Sequence, residues 1–149
     1  MRIDQATEHD AEAIARLIGE IEAYYGGPDS PADPAEIRER LFGRRPVATV
    51  LLARDGDRVL GMASFSLLWP AASADASLYL KELFVREPAR RQGVATALME
   101  HVRDAASAAG CARVEWTADR DNPTAAAFYT ALGAQPHNGK TFYRLEQDL

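Results

Sequence analysis

The chain has 149 residues, 47% of them hydrophobic and 26% charged, the size and mixture of one globular domain that can bury roughly 68–70% of the surface its unfolded form exposes. Its formal charge is -5, from 17 Lys and Arg against 22 Asp and Glu, which argues against bulk binding to nucleic acid or to an anionic membrane. Met1-Arg2-Ile3-Asp4 lacks the charged region and apolar run of a signal peptide and no stretch approaches the about 18 apolar residues of a membrane span, so a cytoplasmic protein is expected; the single Cys111 has no internal disulfide partner, and no Cys/His cluster has zinc spacing, so no metal is expected.

In chain order, Arg2 to Ala6 reads as a short strand, and Thr7 as an N-cap with Asp10 three residues on, in a capping-box-like arrangement. Ile14, Leu17, Ile18, Ile21 and Tyr25 then recur at helical spacing. The breaker-rich stretch from Gly26 to Pro34 is a loop, and Asp33-Pro34 can open a second helix with Asp33 as cap and Pro34 in the first turn. Val47 to Ala53 and Val59 to Phe65 flank Asp55-Gly56-Asp57, a hairpin signature. After a small-residue loop from Pro70 to Ala76, Leu78 to Val85 is an apolar strand.

Gly93 to Ala109 is amphipathic, with Val94, Leu98, Val102, Ala105 and Ala109 on one face, and Gly110 is placed to end it. Cys111 to Thr117 is strand-like, and Cys111 reads as a small apolar core residue. Ala125, Phe128, Tyr129 and Leu132 give a further helix, stopped by Gly133, and Asn138-Gly139 suggests a turn between two last strands. There is no repeat, linker or low-complexity boundary. The order predicts one α/β (α+β) domain over residues 1–149, with a mixed central sheet of about seven strands flanked by about four helices.

The segment Arg90-Arg91-Gln92-Gly93-Val94-Ala95 joins the Leu78–Val85 strand to a helix. A strand running into a basic, glycine-containing turn and then a helix makes an anion cradle: backbone N–H groups point outward, the helix dipole adds positive charge, and a glycine leaves room for a phosphate. Neither G-x-x-x-x-G-K-S/T nor G-x-G-x-x-G with an acidic residue about 20 positions later is present. The segment resembles the acyl-CoA signature of the GNAT superfamily of N-acetyltransferases, Gln/Arg-x-x-Gly-x-Gly/Ala, filled here by Arg90, Gly93 and Ala95. Leu80-Lys81-Glu82-Leu83-Phe84-Val85 before it, and Asn122 to Ala134 after it, are similar to the same family in order and spacing. The likeness is close from Leu78 to Leu145.

That resemblance implies acetyl-CoA as co-substrate and an α/β sheet of the GNAT type. It implies that the turn from Arg90 through Arg91, Gln92, Gly93, Val94 and Ala95 to Thr96 receives the pyrophosphate, and that the backbone of Leu83, Phe84 and Val85 pairs with pantetheine like an added strand. It also implies that Asn122 hydrogen-bonds pantetheine, with Ala125 and Tyr129 beside the cofactor. Tyr129 falls where the family places a tyrosine near the CoA sulfur, and a phenol, of ordinary pKa about 10, can donate to a departing thiolate. A primary amine, of ordinary pKa about 10.4, needs about 4–5 kcal/mol to lose its proton at pH 7. Glu82, alternating with Leu78, Leu80 and Phe84 on one strand face, is the first choice of base, with a structural ion pair as its other reading.

Within the superfamily the strand is most similar to the diamine and spermidine/spermine group, through Tyr79, Glu82, Leu83, Phe84 and Val85; Lys81 stands where that group has an acidic residue. A cation there repels a polyamine and can attract a substrate carboxylate, or it can simply face solvent. Glu22, Tyr24, Tyr25, Trp69 and Tyr143 are acceptor-pocket candidates by position. The expected function is acetyl transfer to a small-molecule amine by direct attack in a ternary complex, in a homodimer without nucleic-acid or membrane partners. The alternatives are a protein or peptide acetyltransferase and a non-catalytic acyl-CoA-binding regulator.

Overall fold

In the computed structural model, which describes every residue from Met1 to Leu149, the chain divides into two units, Met1–Trp116 and Thr117–Leu149. The first opens with β1 (Arg2–Gln5), a single 3-10 turn (Glu8–Asp10) and α1 (Ala11–Tyr24). Thr7 N–H donates to the Asp10 carboxylate at 2.8 Å, the reciprocal bond that the Thr7/Asp10 spacing predicts. The next helix, α2 (Pro34–Phe42), also starts as read: Asp33 Oδ1 accepts from Ala35 N–H at 2.9 Å and Pro34 fills the first turn. A hairpin follows, β2 (Thr49–Asp55) and β3 (Arg58–Leu68), turning at Gly56 with φ 60°. Then come β4 (Ser77–Val85), a 3-10 turn (Glu87–Ala89), α3 (Val94–Ala108) and β5 (Val114–Glu115).

The five strands form one sheet in the order β1-β2-β3-β4-β5, antiparallel except for the parallel pair β4–β5. Alternation along the strands divides the core. Val50, Leu52 and Met62 pack with Ile14, Leu17 and Ile21 of α1, and Phe84 leans on this cluster. Leu51, Ala53 and Ala63 alternate with them and face the other side. There α3 packs on β4 and β3, with Leu98 and Val102 fully buried. Each such side chain contributes about 1.5–3 kcal/mol by leaving water. β1 and the turn before α1 are tied to β2 by Arg54, whose guanidinium donates to Asp4 at 3.0 Å and to Asp10 at 2.9 Å. Burial alone would raise the Asp10 carboxyl, but the bonds from Arg54 and Thr7 outweigh it and hold the group below the usual carboxylate range.

β4 carries the irregularity that matters most. Its register against β3 runs Leu80↔Phe65 and then Glu82↔Ser64, so Lys81 is an extra, unpaired residue. Direct partners share a face, and the bulge therefore puts Glu82 and Phe84 on the side of Met62, opposite Leu78 and Leu80. This corrects the alternation that places Glu82, Phe84, Leu78 and Leu80 on one face: an inserted residue shifts the period-2 pattern by one.

The second unit contains α4 (Pro123–Ala131), capped by Asn122, whose Oδ1 accepts from Ala125 N–H at 3.1 Å, and ended by Gly133 at φ 88°. The sheet has five strands rather than about seven, and the expected strand from Cys111 to Thr117 contracts to Val114–Glu115. Asn138 and Gly139 do form a turn, but no strands flank it. The arm before the turn contains Pro136, which cannot donate to a ladder, and an isolated hairpin is marginal in water. Phe142, Tyr143 and Leu145 accordingly stay exposed.

Candidate active site

The bulge at Lys81 divides β4 into a paired part and an open one. β5 reaches only Leu78 and Tyr79. Beyond the bulge, Arg86 N–H donates to Leu60 C=O at 2.9 Å, and the pairs next to it are Val85↔Gly61 and Phe84↔Met62. Antiparallel hydrogen bonding alternates, so the peptide groups of Phe84 turn toward β3 and those of Leu83 and Val85 turn away. No strand lies beside them on that outer edge. An extended ligand carrying amides can add there as a strand would. Of the Leu83–Val85 stretch assigned to pantetheine by resemblance, Leu83 and Val85 offer outward groups, whereas Phe84 supplies a ring.

Gly61 shapes this edge from behind, a role the sequence reading missed. A Cβ on it would stand 2.5 Å from the Phe84 carbonyl oxygen, so only glycine lets β3 and β4 approach this closely. The signal was a lone glycine inside a strand pattern.

The turn after β4 has the geometry of an anion cradle. Gly93, at φ 79°, is the N-cap of α3 and brings no capping side chain. The helical ladder begins with Ala97 N–H to Gly93 C=O at 3.0 Å, so the N–H groups of Val94, Ala95 and Thr96 precede it and point out of a helix 15 residues long. The space where a Gly93 Cβ would stand is open to 4 Å. Gln92 braces the turn by donating to Pro88 C=O at 3.2 Å. The three arginines differ. Arg86 is committed to Glu20 at 3.0 Å, Arg90 folds back to donate from Nε to Val85 C=O at 3.0 Å, and Arg91, exposed at φ 63°, has no ion pair. Arg91 is thus the free cation beside the cradle.

Glu82 is half-buried. Burial pushes its carboxyl above the ordinary carboxylate range; the Lys81 charge pulls it back, and the Glu22 carboxylate adds to the rise. The structure therefore brings Glu22, Lys81 and Glu82 into one electrostatic neighbourhood, although they come from α1 and β4. A carboxylate held above its usual range is a better proton acceptor at neutral pH than a solvated one.

Other acceptor candidates sit as follows. Tyr24 ends α1, with its ring edge-on to Tyr25 at 5.1 Å and to Phe84 at 6.5 Å. Trp69 is 73% exposed, and its indole N–H donates to Ala74 C=O within its own loop at 2.9 Å. In the second unit Asn122 caps α4, Ala125 supplies the capped N–H, Tyr129 lies on α4 with its ring 5.6 Å from Phe128, and Tyr143 is exposed.

The sequence and fold are similar to those of known proteins. The model of the acetyltransferase (GNAT) family matches residues 14–134. L-ornithine N5-acetyltransferase NATA1 of Arabidopsis thaliana is 34% identical over 90 residues, which are 60% of this chain and 40% of that protein. Thialysine N-epsilon-acetyltransferase of Bos taurus is 28% identical over 145 residues, 89% of this chain and 83% of the bovine one. The match thus spans less than half the length of the plant relative and most of the bovine one. Among solved structures, an integron cassette protein from the mobile metagenome of V. cholerae superposes with a TM-score of 0.86 at 32% identity, covering 99% of this chain and 93% of that one.

Proposed function

The chain belongs to the GNAT family of acetyltransferases, and from that premise we propose that it transfers the acetyl group of acetyl-CoA to a primary amine of a small, amino-acid-like molecule by direct attack in a ternary complex. The observation that carries the reading is the open outer edge of β4 at Leu83 and Val85, with the raised carboxyl of Glu82 on the same stretch of strand. The family match runs across both units, which supports treating residues 1–149 as one acetyltransferase domain.

In this reading the α3 N–H groups from Val94 to Thr96 hold the pyrophosphate with Arg91, and the outward peptides of Leu83 and Val85 hold pantetheine. Glu82 takes the proton of the acceptor ammonium. The neutral amine attacks the thioester carbon, and an outward N–H of β4 stabilises the oxyanion. When the tetrahedral intermediate collapses, the nitrogen gives up its second proton to solvent, the C–S bond breaks and the thiolate leaves. Tyr129 is assigned the proton donor to that thiolate on its chemistry and on the family resemblance, and Asn122 the bond to pantetheine on the same ground.

The acceptor class follows from charge. Glu22 and Glu82 favour an ammonium, while Lys81 disfavours a second one and suits a carboxylate. The two curated relatives are named for acetylating ornithine at N5 and thialysine at N-epsilon, which supports an acceptor with both groups. A freely diffusing cytoplasmic homodimer, with no nucleic acid or membrane, completes the proposal.

The test is mass spectrometry of products after incubating the protein with acetyl-CoA and a panel of diamino acids, polyamines, aminoglycosides and lysine peptides. One added acetyl group on a diamino acid is the expected outcome. Acetylated peptides alone would replace the small-molecule reading with a protein-directed one, and binding of acetyl-CoA without any product would point to a regulator.

A further inference from the structure

Arg90 is the first residue of the turn, yet its side chain lies against two other elements, β4 and α1. Nε donates to the outward carbonyl of Val85 at 3.0 Å. Its Cζ sits 5.5 Å from the centroid of the Tyr24 ring and 5.8 Å from that of Phe84, within cation–π range of both. Tyr24 is the last residue of α1, two residues after Glu22 and directly before Tyr25, whose ring it meets edge-on. The guanidinium therefore links the turn it belongs to with the strand edge assigned to pantetheine and with the helix end that carries the acceptor candidates Glu22 and Tyr24.

We propose that Arg90 is a positioning residue that couples acyl-CoA occupancy to the order of the α1 C-terminus, and so to acceptor binding. The inference rests on the acetyl-CoA assignment made above. Its physical basis is that a guanidinium acts in two directions at once. Its N–H groups bond in the plane, and its face packs on aromatic rings. Nε is spent on Val85, and the terminal nitrogens remain as donors toward an anion at the turn. A bound diphosphate would fix the plane of Arg90, and a fixed plane would restrain the Tyr24 ring and the last turn of α1. Filling the Val85 carbonyl also takes one acceptor out of the open β4 edge, which sets where the pantetheine amides can pair. A lysine could keep the charge but not both contacts.

Hydrogen exchange of residues 21–27 in the full chain, with and without saturating acetyl-CoA, reads the coupling without knowledge of the acceptor. Wild type should gain protection there on binding. Arg90→Lys and Tyr24→Leu should bind acetyl-CoA without that gain, and Tyr24→Phe, which retains the ring, should restore it. In steady state, each disruptive variant should raise the acceptor KM about three- to fivefold with little change in kcat, and the double variant should be no worse than either single one. Protection that persists in Arg90→Lys, or KM effects that multiply in the double variant, would overturn the coupling. A purely local structural role would lower thermal stability and leave the acceptor KM untouched. Wild type that binds acetyl-CoA without protecting residues 21–27 defeats this inference alone, and wild type that does not bind it defeats the acetyl-CoA assignment as well.

Discussion

The two halves of β4 differ from each other in pairing and in exposure. From Ser77 to Leu80 the strand is paired on both sides at Leu78 and Tyr79, and Ser77, Leu78 and Leu80 are buried. From Lys81 to Val85 it is paired on one side, half-exposed, and carries the charged groups. A single inserted residue separates the regimes. The first half holds the sheet together. The second presents peptide groups and a carboxylate that a fully paired strand would hide.

The comparison breaks most sharply at Glu82. Glu82→Gln should lower kcat about 10²- to 10⁴-fold, the range for loss of a general base, and initial rates at saturating substrates check it. The same variant should be slightly more stable at neutral pH. The folded-state pKa of Glu82 is raised, so the folded protein holds its proton where the unfolded chain has released it. Stability is therefore lost as pH rises from the unfolded value of about 4.3 through the folded one. Thermal melts should show the variant's advantage at pH 7 and none below about pH 4. A kcat within twofold of wild type would remove Glu82 from the chemistry.

In the paired half the cost should fall on folding instead. Leu78 is fully buried between the sheet and its neighbours, and Leu78→Ala should destabilise by about 2–5 kcal/mol through lost transfer energy and the cavity left behind. Denaturant titration measures this, and the acetyl-CoA KM of the protein that remains folded should be unchanged. If KM rises tenfold, the two halves are not separable.

At the turn, Gly93→Ala separates backbone strain from ligand approach. Nothing crowds the new Cβ, so the folding cost should be the about 1 kcal/mol of a left-handed alanine. Binding should suffer more, because the methyl group occupies the mouth of the cradle. An acetyl-CoA KM about tenfold higher, with a melting temperature only a few degrees lower, is the expected pair of results.

Local features were legible in the sequence, and features set by pairing were not. Asp33-Pro34, Asn122-Pro123 and Gly93 define helix starts from a few adjacent residues, because a cap needs only its own turn. The Arg90–Ala95 turn was readable for the same reason. The bulge was invisible: Lys81 is extra only relative to β3, and nothing in Leu80-Lys81-Glu82 records where Phe65 and Ser64 fall. Arg90 is assigned to the pyrophosphate turn through the Gln/Arg-x-x-Gly-x-Gly/Ala signature, and nothing in that signature records that its guanidinium also lies beside Tyr24 and Phe84. Asn138-Gly139 suggested a turn between two last strands, but a strand also needs a partner with donors to share.

The finest cut falls on the bulge residue itself, where two effects of Lys81→Gln can be told apart. Lys81 favours the charged form of Glu82, so its removal lets the Glu82 pKa rise further. The base is then protonated over a wider range, and the acidic limb of the kcat/KM profile should move to higher pH, for every acceptor alike. A direct contact with a substrate carboxylate is selective instead. It should raise KM about two- to fivefold for a diamino acid and leave it unchanged for the matching diamine, since an exposed ion pair is worth at most about 1 kcal/mol. A shifted limb without a change in preference would confine Lys81 to tuning Glu82. A changed preference without a shifted limb would make the bulge a specificity element, with the carboxylate of the acceptor as its target.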